Sequence, residues 1–171
     1  MSHRHPTTQE IGNAMLNLTP DTAEQYVRGL EQNMENAGDW GVQPTLMLIS
    51  VPAGQDPNTL GMLAITPVFP SDWISDGQLP ADALDGLDPA VLLALVPPPV
   101  TLVAVALAYE AVVLSGKDAR LLYCGLADGV LVGAGRVRGN APNVKTYVPD
   151  HPHDVTPAAL RRLAIEVLTG T

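Results

Sequence analysis

Residues 120–139 read RLLYCGLADGVLVGAGRVRG, and how this stretch pairs with itself decides the fold. Two apolar runs flank Asp128-Gly129, a dipeptide that tolerates the positive φ of a tight hairpin turn better than almost any other. The expectation is one β-hairpin with a two-residue loop, pairing Ala127 with Val130 and Leu126 with Leu131. In that register Leu122, Cys124 and Leu126 share a face with Leu131, Gly133 and Gly135. Leu121, Tyr123 and Gly125 share the other with Val132, Ala134 and Arg136. Both faces are apolar near the turn, so the hairpin is expected to be covered on both sides or to sit at a subunit contact. Gly133 and Gly135 leave room for a backbone or a ligand, and a packed helix is the simpler use of that room.

Upstream, residues 100–114 form a long apolar strand in which Val103, Val105, Leu107 and Tyr109 alternate with Ala104, Ala106 and Ala108. A helix lying close over the alanine face would explain that asymmetry. Residues 45–51 and 60–68 read as an antiparallel pair joined by the polar loop PAGQDPNT. Between 67 and 99, prolines and unpaired aspartates surround short helices at about 80–86 and 88–96, the second opened by Asp88-Pro89. At the N-terminus, Thr7 and Glu10 have capping-box spacing ahead of Ile11, Ala14, Met15 and Leu18. Thr19-Pro20 then opens a longer helix with Ala23, Tyr26, Val27, Leu30, Met34 and Ala37 on one face and Gly38 as its stop. Downstream, a short strand near 145–148 precedes a helix opened by Thr156-Pro157, with Leu160, Leu163, Ala164, Val167 and Leu168 inward.

The order helix-helix-strand-strand-short helices-three strands-helix predicts an α+β fold. Its antiparallel sheet of about five strands is covered by N- and C-terminal helices. Residues 1–171 are expected to form a single domain, with 1–6 as a mobile tail. The same element order occurs in PAS, GAF and profilin-type folds, which host many functions.

The formal charge of −9 speaks against nonspecific nucleic-acid binding, which depends on Lys and Arg neutralising phosphates. The single cysteine, Cys124, excludes an intramolecular disulfide, and a reducing cytoplasm is the natural setting. Residues 90–109 are apolar, but Pro97-Pro98-Pro99 at their centre breaks any membrane-spanning helix, so no membrane partner is expected.

Chemistry-bearing residues are few. Lys117, Arg120, Arg136, Arg138 and Lys145 are five of the nine basic residues and meet only Asp118 and Asp128 within residues 117–145, net +3. Arg136 and Arg138 share a strand face, with Glu110 after the long strand as their nearest carboxylate candidate. They form a candidate anion site, although pairing with Glu110 or with the aspartates of 72–88 is the simpler use of them. Gly133-Ala134-Gly135 lacks the dinucleotide-binding spacing and lies in a strand, so it is no phosphate loop. His151, His153 and Asp154 are candidate metal ligands, although the prolines beside both histidines mark an ordinary turn. Cys124 reads as a buried small hydrophobe. No serine lies in a nucleophile elbow, and no cofactor is implied.

The stretch Ala108-Tyr109-Glu110-Ala111, then Arg120, Ala127-Asp128-Gly129-Val130 and Arg136-Val137-Arg138-Gly139, resembles a pattern in small uncharacterised proteins of actinobacteria and their phages. It covers residues 100–140, with Val112 where an aromatic is expected. The resemblance implies a cytoplasmic accessory protein and carries no activity with it. The resulting expectation is a non-enzymatic interaction module that self-associates as a homodimer or binds a protein partner. The alternatives are an anion sensor at Arg136 and Arg138, and a metal-dependent hydrolase at His151, His153 and Asp154.

Overall fold

A computed structural model describes residues 17–38, 40–59, 61–113, 115–149 and 154–170. The expected tail, most of the helix expected before Thr19, His151 and His153 lie outside them. Helix α1 (Pro20–Ala37) begins and ends where its signals predict. Thr19 Oγ1 accepts a hydrogen bond from Thr22 N at 3.3 Å, and Gly38 closes the helix at φ 69°.

Strands β1 (Thr45–Pro52) and β2 (Ala64–Val68) pair antiparallel. β2 starts later than expected because Gly61 at φ 82° turns the chain before it can extend. A 3₁₀ turn (Pro70–Asp72) and two short helices, α2 (Pro80–Asp85) and α3 (Pro89–Ala94), lead to β3 (Val100–Val112). Strands β4 (Asp118–Gly125), β5 (Leu131–Val137) and β6 (Asn143–Tyr147) follow as a meander, and helix α4 (Val155–Thr169) completes the order.

The result is an α+β fold with one antiparallel sheet of six strands, in the order β2-β1-β3-β4-β5-β6. Both edges are short and interrupted by proline. Pro67 lies within β2, while Pro142 and Pro149 bracket β6, whose centre is Lys145. Such edges resist pairing with another sheet. Among the described residues, no helix is long and apolar enough to cross a membrane.

Two apolar layers flank the sheet. On one side Ala23 and Val27 of α1 pack with Met47, Ile49, Leu122, Cys124, Val132 and the alanines of β3. On the other, Leu84 of α2, Leu92 of α3 and Leu160, Leu163 and Ala164 of α4 pack on Leu46, Leu48, Val105, Leu107 and Leu131. A bulge in β3 shifts the register between Ile49↔Ala104 and Ser50↔Leu102, so Val103 joins the alanine side instead of the bulky one. Helix and sheet also come close on the side away from the alanines. A Cβ placed on Gly125 would lie 2.7 Å from the Cβ of Ala164 in α4.

The hairpin forms at the predicted turn, one residue out of the predicted register. Leu126 N bonds Val130 O at 2.9 Å and Gly129 N bonds Leu126 O at 3.0 Å, closing a three-residue loop, with Gly129 at φ 86°. No non-glycine residue among those described has positive φ, so Asp128 escapes the strain a two-residue loop would impose, and its carboxylate accepts Val130 N at 3.0 Å. Gly125 therefore faces Leu131, Tyr123 faces Gly133, Leu121 faces Gly135 and Arg120 faces Arg136. By the side-chain period of two, this slip moves every β5 residue to the opposite cross-strand company.

Candidate functional site

The slip places Arg120 directly opposite Arg136, on the side covered by α1. Two like charges in that position repel, and burial would make them costlier still. Helix α1 supplies the compensation. Glu31, with no exposed surface, continues the inward row of Ala23 and Val27, and Glu35 follows one turn later. Arg120 Nη2 donates to Glu31 Oε2 at 2.8 Å and to Glu35 Oε2 at 2.7 Å. Arg136 grips Glu31 through Nε at 2.9 Å and Nη2 at 2.6 Å, and its Nη1 donates to the carbonyl of Asn140 at 2.9 Å. Burial disfavours the ionised Glu31, but the hydrogen bonds and charges of Arg136 and Arg120 outweigh it and hold the carboxyl below its usual range. Trp40 lies beside this cluster, with the guanidinium of Arg120 4.7 Å and that of Arg138 5.3 Å from its ring centroid.

The partners of the arginines thus come from α1, in place of the aspartates of 72–88. Arg138 is mostly exposed and lies 3.6 Å from Asp118. Glu110 faces Arg120 in the β3–β4 register, and its Oε2 accepts the backbone N–H of Val42 at 2.9 Å. Arg136 and Arg138 therefore diverge in role: the first locks helix to sheet, the second faces solvent. Cys124 is buried in the same layer, and burial pushes its thiol up to about 12. Of the candidate metal ligands only Asp154 is described, and its carboxylate accepts the hydroxyl of Tyr147. Among the described residues, no group of three His, Cys, Asp or Glu could hold a metal.

The opposite face of β4–β6 is only half covered. Helix α4 packs over β3 and the Gly125 end of β4, and beyond it the sheet carries a depression of about 340 Å³. Its floor is Gly133 and Gly135. Leu121 and Tyr123 of β4, Val137 of β5 and Tyr147 of β6 line the depression, with Lys145 at its edge. The ring of Tyr123 leans over Gly133, where an added Cβ would lie 2.9 Å from its Cε1. Gly135 has no such cover: an added Cβ would meet only Leu121 Cδ2, at an ordinary 3.5 Å. The room expected at Gly133 and Gly135 is thus present, with Asn143, Lys145 and Tyr147 of β6 beside it.

Three tyrosines brace the α4 side of this depression. Tyr109 and Tyr123 have ring centroids 6.2 Å apart, Tyr123 and Tyr147 5.3 Å. Burial raises the pKa of Tyr109 and Tyr123, with Asp154 adding to both shifts, so these rings stay neutral. Among the described residues, no carboxylate lines the depression. Lys145 on its edge and Lys117, whose carbonyl accepts from the lining residue Val113, are exposed and form no ion pair or side-chain hydrogen bond among the described residues.

Sequence reasoning missed Glu31, Glu35 and Trp40. The available signal was a pair of glutamates four residues apart, in line with the inward stripe of Ala23 and Val27. No family model matches the chain, and no curated protein or solved structure matches it significantly.

Proposed function

We propose that this chain is a non-enzymatic protein-interaction module that seats an extended segment on the open half of its β4–β6 face. The observation that carries this reading is the glycine-floored, tyrosine-lined depression with Lys145 on its edge and Lys117 next to the lining residue Val113 in the ladder, neither ion-paired among the described residues, in a chain of charge −9. An apolar side chain over Gly135 would gain contact with Leu121 and Val137 and exclude water from both. Carboxylates flanking that side chain would meet the lysines, adding orientation and association rate more than raw affinity. The two edges of the sheet, being short and proline-bound, favour docking on the face over strand addition.

Fluorescence anisotropy with a labelled peptide of about seven residues, long enough to cross the depression when extended, tests this. The peptide carries leucine at its centre and aspartate three residues to either side. It should bind saturably, with affinity that falls as salt rises. Gly135→Leu, which fills the depression without backbone strain, should abolish binding while the far-ultraviolet spectrum stays unchanged. Equal binding by a peptide with lysines in place of the aspartates, or unchanged binding by Gly135→Leu, would overturn the reading.

A further inference from the structure

We infer that the groove between α1 and the β1–β2 hairpin binds an uncharged, planar heterocycle with hydrogen-bonding edges, of the nucleobase or nucleoside type. The groove holds about 270 Å³. One wall is α1, through Thr22, Gln25, Tyr26, Gly29, Leu30 and Asn33. The other is Pro57, Asn58 and Thr59 of the connecting loop, followed by Leu63 and Ile65. It shares no lining residue with the β4–β6 depression, and the inference does not rest on the docking face proposed there.

Its starting point is Gly29. Glycine is the poorest helix former after proline, yet it stands in the middle of α1 with nothing within 4 Å of an added Cβ. No close contact among the described residues requires it. The missing side chain instead opens the floor of the groove, where a flat ring can approach the helix backbone. Gln25 and Asn33 stand one turn to either side of Gly29, on the same line of the helix. Both are exposed, and their carboxamides make no hydrogen bond among the described residues.

The chemistry of the ligand follows from this lining. Among the described residues no Asp, Glu, Lys, Arg or His lines the groove, in a chain of charge −9. A charged ligand group buried there would go uncompensated, which selects an uncharged one. Leu30, Leu63 and Ile65 offer apolar surface to the faces of a ring. Each free carboxamide presents a donor beside an acceptor, the complement of the adjacent donor and acceptor on a base edge. Gln25 and Asn33 are roughly 12 Å apart along the helix, so their side chains reach opposite ends of one ring system seated over Gly29. A cavity of about 150 Å³ accepts a benzene ring; the larger volume of this groove suits a bicyclic one. Tyr26 adds a neutral hydroxyl, since burial, with Cys124 adding to it, raises its pKa.

The groove is also shaped in advance. Asn58 Oδ1 accepts from Thr19 N at 2.9 Å, and its Nδ2 donates to the carbonyl of Asn17 at 3.0 Å. These bonds tie the loop to the start of α1 and hold the two walls at one spacing, which lowers the cost of binding.

An amide chemical-shift titration of the full chain with adenosine, inosine, cytidine and nicotinamide tests the inference. Adenosine monophosphate and the acidic, leucine-centred peptide serve as controls. At least one uncharged probe should bind saturably and move the amides of Gly29, Leu63 and Ile65, leaving Gly133 and Lys145 unmoved. Adenosine monophosphate should bind more weakly than adenosine, because no cation meets its phosphate and the acidic chain repels it. Gly29→Leu, which fills the floor in open space, should abolish binding. Gln25→Leu combined with Asn33→Leu, at exposed positions that keep helix propensity, should weaken it about tenfold or more. Gly29→Ala should raise the melting temperature of the free protein yet bind the probe more weakly than the wild type. No saturable binding by any uncharged probe, or tighter binding of the monophosphate than of adenosine, would overturn the inference. So would unchanged affinity in either variant that folds, or peptide shifts centred on Gly29, which would make the groove a peptide site.

Discussion

Glu31 answers two buried guanidinium groups at once. Removing it would leave Arg120 and Arg136 facing each other inside the protein, and breaking such a pair costs about 3–5 kcal/mol. Glu31→Ala should lower the urea-unfolding free energy by that amount at neutral pH. The acid limb follows from the direction of the shift. Since the folded carboxyl titrates below its ordinary value, the unfolded chain takes up the proton first as pH falls. The stability Glu31 contributes is complete above the ordinary carboxylate range and is lost as pH drops through the folded value. Urea unfolding followed from about pH 5 downward should show this loss in the wild type and a flatter profile in Glu31→Gln. An unchanged profile would remove the cluster from its assigned role. The sequence offered only a pair of glutamates in line with an inward helical stripe, which carries no sign of the strand they will meet. Only the hairpin register, itself one residue off, brings the arginines beneath it.

At the scale of elements, sequence signals located almost every start and stop and were weaker on what faces what. Thr19-Pro20, Gly38 and Asp88-Pro89 act where local chemistry says they should, because caps are satisfied by groups within one turn. The hairpin register failed for the opposite reason. Asp-Gly is compatible with both a two-residue and a three-residue loop, and the choice rests on whether Asp128 must adopt positive φ. Glycines show the same divide. Gly29 sits inside α1 with nothing within 4 Å of an added Cβ, whereas Gly125 is pressed against Ala164. Gly29→Ala should therefore stabilise the protein by up to about 1 kcal/mol, through helix propensity and a stiffer unfolded chain. Gly125→Ala should destabilise it by about 1–3 kcal/mol, because α4 must lift from the sheet. Thermal unfolding of the pair checks both signs. A stable Gly125→Ala would mean that α4 is not seated as described.

For the whole molecule, the order of helices and strands foretold the α+β class, while the strand order and the half-open face emerge only from tertiary packing. Periodicity reports which side of a strand is apolar; it cannot report how far a helix reaches across the sheet. Helix α4 covers the Gly125 end of β4, and beyond it an apolar hairpin face becomes a depression edged by Lys145, which has no ion pair among the described residues. The charge segregation seen along the chain acquires a location in this way: the basic surplus splits into Arg120 and Arg136 locked under α1, Arg138 at the surface, and lysines near the open face. The measurement that tests this account most directly is an amide chemical-shift map of the ¹⁵N-labelled chain titrated with the acidic, leucine-centred peptide. The largest shifts are predicted at Leu121, Tyr123, Gly133, Gly135, Lys145 and Tyr147, with the amides of α1 unmoved. Shifts centred on α1 or around Trp40, or none at all at saturating peptide, would contradict it.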